Sequence, residues 1–393
     1  MRNNVEIHKF KGLYFLTYAA LGVLVPLIGQ YLSSIGFSGT QIGIVTSVGT
    51  AVAIFAATFW GKIYSNSADG RKVVALLCAT AALMGVVNTF VTEFMVFVIT
   101  YGIMYFFQGP VNGLTDAMVL EHNQGSFAQI RLFGAVGYAI TVFTGGRIGA
   151  AFGLQKIFYI YAVAFLFGAM VVMRIRQRAS CKDSYDAKGT KGRTLKKGKE
   201  TISFSELLCD KKSIQLIICG IFVMGTNVAN NTYFSFLFRD GGGTVAGVGT
   251  VFLLMVGSEA PFMALAPWIT KRFSQEKIIV SAMILSAVRF SWYATGPSWQ
   301  MLMALFFLQG MVNGILLVEY VKYLSAVVEP KLIGIAVSAF YAVSSNGGSI
   351  LCNFLGGIAM DHFGSVGVYG LFGIFNAIGV ALYFLWGLHK KKD

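Results

Sequence analysis

Apolar runs alternate with short polar turns along the whole chain, and twelve of these runs are long enough to cross a lipid bilayer. A spanning helix needs about 20 predominantly apolar residues. The pattern therefore predicts an all-α membrane protein with twelve transmembrane helices. The runs lie near residues 12–36, 40–63, 73–91, 94–118, 130–151, 157–174, 213–238, 244–270, 276–295, 300–327, 332–358 and 366–388.

The longest polar stretch separates the sixth run from the seventh and is rich in Lys and Arg. Such a stretch is typical of a linker, because it has too few apolar residues to fold on its own. We therefore expect two six-helix halves related by pseudo-symmetry, residues 1–175 and 213–393. A cytoplasmic linker over residues 176–212 would join them.

A short polar motif occurs in both halves, 201 residues apart. Gln108-Gly-Pro-Val-Asn112-Gly and Gln309-Gly-Met-Val-Asn313-Gly both lie inside apolar runs. Transporters built from two repeats bind substrate near the membrane midplane, where corresponding helices face each other. Gln and Asn offer hydrogen bonds that lipid cannot supply. The repetition predicts that Gln108, Asn112, Gln309 and Asn313 contribute to a binding site, the alternative being chance similarity in glycine-rich sequence.

The composition agrees with a membrane protein and shows no sign of catalysis. Hydrophobic residues make up 56% of the chain and charged residues 12%, against about 25% charged residues in ordinary globular chains. The five cysteines have no paired or metal-binding spacing, and no nucleotide loop or hydrolase triad is present. We expect no cofactor, no metal site and no enzymatic activity.

Basic residues are concentrated on one side of the predicted membrane. Both terminal segments, the linker and the turns after the second and eighth spans carry most of them. The positive-inside rule therefore predicts a multi-pass protein of the inner (cytoplasmic) membrane with both termini in the cytoplasm. The net charge of +14 then reflects loops that face anionic lipid. The expected partners are the bilayer and a small solute, with no nucleic acid, and we expect a monomer.

We assign six of the charged residues in the apolar runs to membrane depth: Asp116, Arg131, Glu259, Arg289, Glu319 and Lys322. A charge at membrane depth costs a few kcal/mol, about 3 kcal/mol on insertion scales, and usually marks a cavity or an ion path. Asp116 and Arg131 lie at matching depths on consecutive antiparallel spans, so they can pair. Glu319 and Lys322 share a helix face. Glu259 lies near the midplane, followed by Pro261, which should interrupt the helix. Structural ion pairs or snorkelling side chains are the alternative.

Several segments resemble the major facilitator superfamily, in particular the oligosaccharide:proton symporters that include lactose permease, and the wider group with phenylpropionate and nucleoside symporters. In the clearest of them, Arg131 starts a Phe-Gly-x-x-Gly run that is followed by Tyr138, as in the fifth helix of these symporters. The turn after the second span resembles the Gly- and Arg-rich turn of the superfamily, with Asp69 a possible substitute for its acid. The segments are 60–72, 115–117, 129–138, 258–261 and 286–289.

The resemblance implies roles for individual residues. It implies that Asp116 and Arg131 bind sugar hydroxyls and that Tyr138 stacks on the sugar ring. The chain departs from the symporters in having Gln309 and Val312 where they carry a His and a proton-binding Glu. On the seventh helix it has Asn227, Asn230 and Asn231 where they carry carboxylates. The proton pathway must therefore differ. We assign substrate binding to Asn230 and Asn231 as well, and proton coupling to Glu259, Arg289, Glu319 and Lys322.

These observations predict a secondary active transporter that carries a small polar solute, a sugar or oligosaccharide, together with protons by alternating access. Within the same fold, an importer or exporter of another metabolite is the alternative, with a nucleoside, an aromatic acid or a drug as cargo. An uncoupled facilitator and a membrane sensor that transports nothing also stay open.

Overall fold

The computed structural model describes residues 2–123, 127–176, 211–328 and 333–389. Within these ranges the regular structure is helical and contains no β-strand. The predicted linker, 176–212, lies almost entirely outside the described residues.

Among its described residues the N-terminal half has eight helices, because two of its predicted spans are each divided into two pieces. The first predicted span is divided near 25–27 and the fourth at Gly109-Pro110. The helices are α1 (Arg2–Leu24), α2 (Ile28–Ser34), α3 (Gly39–Asn66), α4 (Gly70–Asn88), α5 (Phe94–Gln108), α6 (Val111–Asn123), α7 (Phe127–Phe152) and α8 (Lys156–Met173).

The C-terminal half follows the same plan with different breaks. Its tenth predicted span is divided near 305–306, and a π-helical segment, Phe340–Gly347, lies within the eleventh. The helices are α9 (Lys211–Asp240), α10 (Val245–Thr270), α11 (Gln275–Tyr293), α12 (Trp299–Ala304), α13 (Phe307–Val327), α14 (Ile333–Ala339) and α15 (Gly348–Leu385).

The all-helical membrane fold is as the sequence predicts. Eight segments of the described residues are long and apolar enough to cross a membrane. One of them, Ala336–Leu385, covers most of predicted spans eleven and twelve, and the helix bends between them at Gly364, where φ is 66°. Segments for predicted spans five, nine and ten are helical but are not among the eight, so the count of twelve stays a prediction.

Helix ends are placed by local side chains that the apolar pattern does not reveal. Ser38 accepts a hydrogen bond from the backbone of Gln41 in a capping box that starts α3. Glu93 accepts hydrogen bonds from the first turn of α5. The turn between predicted spans three and four is therefore longer than the two residues expected from the sequence, because α4 already ends at Asn88.

Two of the prolines inside apolar runs, Pro110 and Pro261, behave differently. Pro110 lies in the break between α5 and α6, where the missing N–H and the ring disfavour a continuous helix. Pro261 was expected to interrupt its helix, yet α10 continues through it from Val245 to Thr270. That expectation is corrected: in a membrane helix, neighbouring helices and local adjustments can compensate for the lost backbone hydrogen bond.

The halves meet most closely at the end that the charge distribution predicts to be extracellular, where α3 packs on α15 and α7 on α10. Glycines allow the approach: a Cβ on Gly43 would lie 2.3 Å from the Asn353 carbonyl oxygen, and one on Gly146 would lie 3.0 Å from the Gly249 Cα. This end of the bundle is closed.

Polar contacts reinforce this closure. The carboxylate of Asp361 accepts hydrogen bonds from the first backbone N–H groups of α3, at 2.5 Å from Gly39 and 2.8 Å from Thr40. A carboxylate at a helix N-terminus is favoured by the helix dipole. Arg239 also donates to the Gln30 side chain of the other half at 2.6 Å.

Candidate functional site

An acid–arginine pair lies in the N-terminal half. Asp116 on α6 and Arg131 on α7 are brought together as their matching depths predict, with 3.7 Å between Oδ2 and Nη1. The Tyr14 hydroxyl on α1 donates a hydrogen bond to the other carboxylate oxygen of Asp116. The Arg131 side chain is 56% exposed, so part of its guanidinium is available to a ligand.

Sequence reasoning missed Tyr14. Its ring stacks with that of Tyr18, with centroids 6.0 Å apart. The Asp116–Arg131 pair therefore has aromatic rings beside it on α1. The only available signal was the spacing of the two tyrosines by four residues, which places both on one helix face. That spacing alone is equally typical of core packing.

A second arginine is buried in the C-terminal half. Arg289 on α11 is 1% exposed. Its guanidinium donates to the side-chain oxygen of Gln309 on α13 and, at 2.6 Å, to that of Asn227 on α9. The guanidinium also lies over the Phe290 ring, 4.3 Å from the centroid. A buried charge of this kind is tolerated only when polar and aromatic partners replace its hydration.

Glu259 lies next to this cluster. Its carboxylate accepts a hydrogen bond of 3.0 Å from the Asn313 amide on α13 and interacts electrostatically with Arg289. It is also within electrostatic range of the Tyr138 hydroxyl, which belongs to the other half. Tyr138 therefore faces the C-terminal acid as well as following Arg131 along α7.

Several polar atoms at this depth are buried without a hydrogen-bond partner among the described residues. They are the amide nitrogen of Asn230, the amide oxygen of Asn313 and Nε of Arg289. The amide oxygen of Asn230 accepts from the Tyr369 hydroxyl at 2.8 Å, and Asn231 beside it is half-buried. Unpaired buried donors and acceptors are costly, so they mark a place where a polar solute or water can bind.

Glu319 and Lys322 form the pair that their spacing predicts, at 2.8 Å on α13. Glu319 is fully buried, and its second carboxylate oxygen has no partner among the described residues. The pair lies ten residues beyond Gln309, roughly 15 Å along the helix axis. It is therefore separate from the Arg289 cluster.

The first copy of the repeated motif contacts its own half. The Gln108 side chain accepts a hydrogen bond of 2.6 Å from the buried hydroxyl of Tyr161 on α8, and Asn112 is half-buried on α6. The binding roles assigned to both residues stay predictions.

The turn between α3 and α4 is organised by one ion pair. Asp69 caps α4 and binds the Arg71 guanidinium at 2.8 and 2.9 Å. Hydrogen bonds from Arg71 hold the pKa of the Asp69 carboxyl below its usual value. Arg71 also donates to the Ile175 carbonyl at 2.6 Å, which ties the turn to the end of α8.

Taken together, the membrane-depth residues can bind and release a polar molecule, since they present hydrogen-bonding groups, two guanidinium groups and aromatic rings. Among the described residues no group of three or more His, Cys, Asp and Glu could hold a metal ion.

Comparison with known proteins identifies the family. The model of the MFS_1 like family matches residues 7–371. The uncharacterised transporter YwbF of Bacillus subtilis (strain 168) is 27% identical, over 99% of this chain and 97% of its own. The maltose permease of Geobacillus stearothermophilus is 29% identical, over 96% and 94%.

Solved structures show the same fold. The nucleoside transporter NupG superimposes with a TM-score of 0.81, covering 99% of this chain and 100% of its own at 18% identity. Because the relatives are permeases and transporters, the chain is a membrane transporter and not an enzyme. The family match spans most of the described helices and both candidate clusters, and the chain therefore belongs to the major facilitator superfamily, within the MFS_1 like family.

Proposed function

We propose that the chain is a proton-coupled symporter of a sugar or oligosaccharide that works by alternating access. The observation that carries the proposal is a polar cluster in each half, Asp116–Arg131 in one and Glu259–Arg289 in the other, with Tyr138 of the first half within electrostatic range of Glu259. A sugar presents many hydroxyl groups, and each one that is buried needs a partner. Carboxylates, guanidinium groups and amides supply such partners from both sides. The similarity to a maltose permease supports this substrate class.

The closed predicted-extracellular end supports an alternating-access cycle. Opening that end requires the Gly146–Gly249 contact and the Asp361 cap on α3 to separate. Arg131 is exposed while that end is closed. A solute bound between the clusters would therefore leave on the side of the cytoplasm.

For coupling, we assign proton binding to Glu259 and Glu319. Glu259 contacts Asn313 and lies beside Arg289, so it can sense both substrate and proton. Glu319 is assigned to proton release, because it lies on the cytoplasmic side of Glu259 and Lys322 can hold its ionised form.

The experiment for the substrate is uptake into proteoliposomes. Maltose, other disaccharides, nucleosides and aromatic acids are offered with and without an imposed pH gradient. A sugar should accumulate only when the outside is the more acidic side. Accumulation of another class alone would refute the sugar assignment, and accumulation that ignores the gradient would refute proton coupling.

The experiment for coupling uses Glu259→Gln and Glu319→Gln, with Glu93→Gln at the start of α5 as the control. At least one of the first two should lose accumulation driven by the gradient and keep substrate exchange, because exchange needs no net proton release. The control should behave as wild type. If both variants still accumulate substrate, the proton assignment is wrong.

A nucleoside is the second candidate substrate. Tyr138 lies within electrostatic range of both Glu259 and Tyr105, and Arg289 lies over Phe290. Aromatic rings can stack on a base, and the asparagines can hydrogen-bond its edge. In the uptake panel this alternative predicts competition by nucleosides and none by sugars.

We also propose an inner-membrane location with both termini in the cytoplasm. Single cysteines at Lys188, which lies outside the described residues, and at Gly242 should label from opposite sides of the membrane. Labelling of both from one side would refute the orientation.

A further inference from the structure

A narrow groove of about 280 Å³ lies between α10, α11 and α13, apart from the clusters described above. Its walls are almost entirely apolar, and the exposed residues Lys277 and Ser281 are on its α11 side. The residues that define it are Ile269, Lys277, Ser281, Leu285, Met311 and Ile315.

The groove runs along the membrane normal. Lys277 is in the first turn of α11, at the end of the bundle that is predicted to face the cytoplasm. Leu285 lies eight residues further along the same helix, roughly 12 Å deeper. The groove therefore has a basic residue at the membrane surface and apolar walls towards the midplane.

The surroundings of the mouth are basic and aromatic. Lys271 and Arg272 follow the end of α10, and the Arg272 guanidinium lies 4.7 Å from the ring centroid of Trp268. Trp268 and Phe273 are both more than half exposed. Aromatic residues beside basic ones are typical of the headgroup level of a membrane.

One acid, Glu276, is adjacent in sequence to Lys277. It interacts electrostatically with Tyr383 of α15, and the Tyr383 hydroxyl donates to the Glu276 carbonyl oxygen. The three basic residues Lys271, Arg272 and Lys277 outnumber this acid near the groove mouth.

We propose that this groove is a binding site for an anionic phospholipid of the cytoplasmic leaflet, with one acyl chain between α10, α11 and α13 and the phosphate at Lys277. An acyl chain matches the apolar walls, whereas a polar solute would find few hydrogen-bond partners there. The basic mouth selects an anionic headgroup over a zwitterionic one, since basic pockets on this side of membrane proteins bind such headgroups.

The site has a consequence for transport. Met311 and Ile315 lie on α13 beside Asn313, which holds Glu259. A bound acyl chain would contact α10, α11 and α13 at once. It would therefore support α13, which carries Gln309 and Asn313.

The test is native mass spectrometry of the purified transporter, titrated separately with phosphatidylglycerol and phosphatidylcholine of the same acyl chains. The proposal predicts one phosphatidylglycerol that binds at least tenfold more tightly than phosphatidylcholine. Equal affinity, or a smooth distribution of lipids with no preferred single occupancy, would overturn it.

Three variants locate the site. Each basic residue near an anionic surface contributes about fivefold in affinity. Lys277→Gln should therefore weaken phosphatidylglycerol binding about fivefold, and a further Lys271→Gln and Arg272→Gln should weaken it about 100-fold in total. Ser281→Phe, which fills the groove from an exposed position, should remove the bound lipid. Lys62→Gln, at the end of α3, is the control and should leave binding unchanged.

A second measurement covers the case in which a variant folds poorly. In the wild-type protein, phosphatidylglycerol with a photoreactive diazirine on its acyl chain should crosslink to Leu285 or Met311. Crosslinks confined to other helices, or tight phosphatidylglycerol binding retained by the Ser281→Phe protein, would refute the groove as the site.

Discussion

The two copies of the repeated motif have nearly the same residues but different contacts. In the first copy, Gln108 accepts a hydrogen bond from Tyr161 within its own half. In the second, Gln309 accepts one from the buried guanidinium of Arg289. Both glutamines are nearly fully buried, so neither can be left without a partner. From this comparison we infer a mainly stabilising contribution of the first copy and a contribution of the second to a charged site; the binding roles assigned to both copies stay predictions.

The difference arises from the residues opposite each copy. Asn88, which is 201 residues before Arg289, is fully buried and accepts a hydrogen bond of 2.6 Å from Thr100. The N-terminal half is therefore neutral at this position, and its arginine assigned to membrane depth, Arg131, is elsewhere and partly exposed. The two copies are alike in sequence, but the arginines near them lie at different positions in the two halves.

The largest effect is expected for the glutamines. Gln309→Ala would leave a buried guanidinium N–H without its acceptor, and an unsatisfied buried donor on a charged group costs about 3 kcal/mol. We expect transport to fall at least 100-fold. Gln108→Ala should change apparent substrate affinity by less than about threefold and lower the melting temperature instead, because the Tyr161 hydroxyl loses its acceptor. Uptake kinetics and thermal unfolding distinguish the two, and equal effects on transport would refute the proposed division.

The next effect concerns the exposed arginine. Arg131→Lys keeps the charge but loses the planar fork that can bind two hydroxyls. We expect apparent substrate affinity to fall at least tenfold, with the melting temperature nearly unchanged because the side chain is half exposed. Tyr138→Phe, measured alongside, should retain most activity, since it keeps the stacking face. Unchanged uptake kinetics in the Arg131→Lys protein would exclude this residue from the site.

A smaller effect is expected for the last glycine of each copy. A Cβ on Gly314 would lie 2.9 Å from the Glu259 carbonyl oxygen, whereas one on Gly113 would have no atom within 4 Å. Gly314→Ala should therefore shift α10 and reduce uptake several-fold. Gly113→Ala should leave uptake unchanged, and a similar loss in both variants would show that the close contact is unimportant.

The smallest effect concerns the matching turns after α3 and α10. Asp69 caps α4 with a side-chain hydrogen bond, whereas Ser274 starts α11 without one. Asp69→Asn keeps a capping side chain but loses the ion pair with Arg71, so it should cost about 1 kcal/mol at neutral pH. Ser274→Ala removes no capping hydrogen bond and should cost close to nothing. Thermal unfolding of the two variants and the wild type in detergent measures these changes in stability.

The pH dependence of the Asp69 effect has a definite sign. Because the pKa of Asp69 is lowered in the folded protein, its contribution is present above the ordinary aspartate value of about 3.9. It is lost as the pH falls through the lowered value. The difference in melting temperature between wild type and Asp69→Asn should be constant from pH 8 to 5 and shrink below pH 4. A difference that vanishes near pH 6 would point to another group.

The sequence determined the membrane class, the position of most helices and the residues that carry charge at membrane depth. These properties are local, since about 20 apolar residues suffice to predict a span and a single charge within one stands out. It also predicted that Asp116 and Arg131 would meet, because consecutive antiparallel helices bring residues at the same membrane depth next to each other. The Glu319–Lys322 pair followed from helix geometry alone.

Only the tertiary structure decided which partners the polar residues have across helices. The repeat suggested equal roles for Gln108 and Gln309, and helix packing gave one a tyrosine and the other an arginine. Packing also placed Asn313 against Glu259, and brought Tyr138 of one half towards the same acid. The physical reason is that apolar periodicity specifies which residues enter the membrane. Which helix faces touch is decided by the shapes of small and large side chains on helices far apart in the chain.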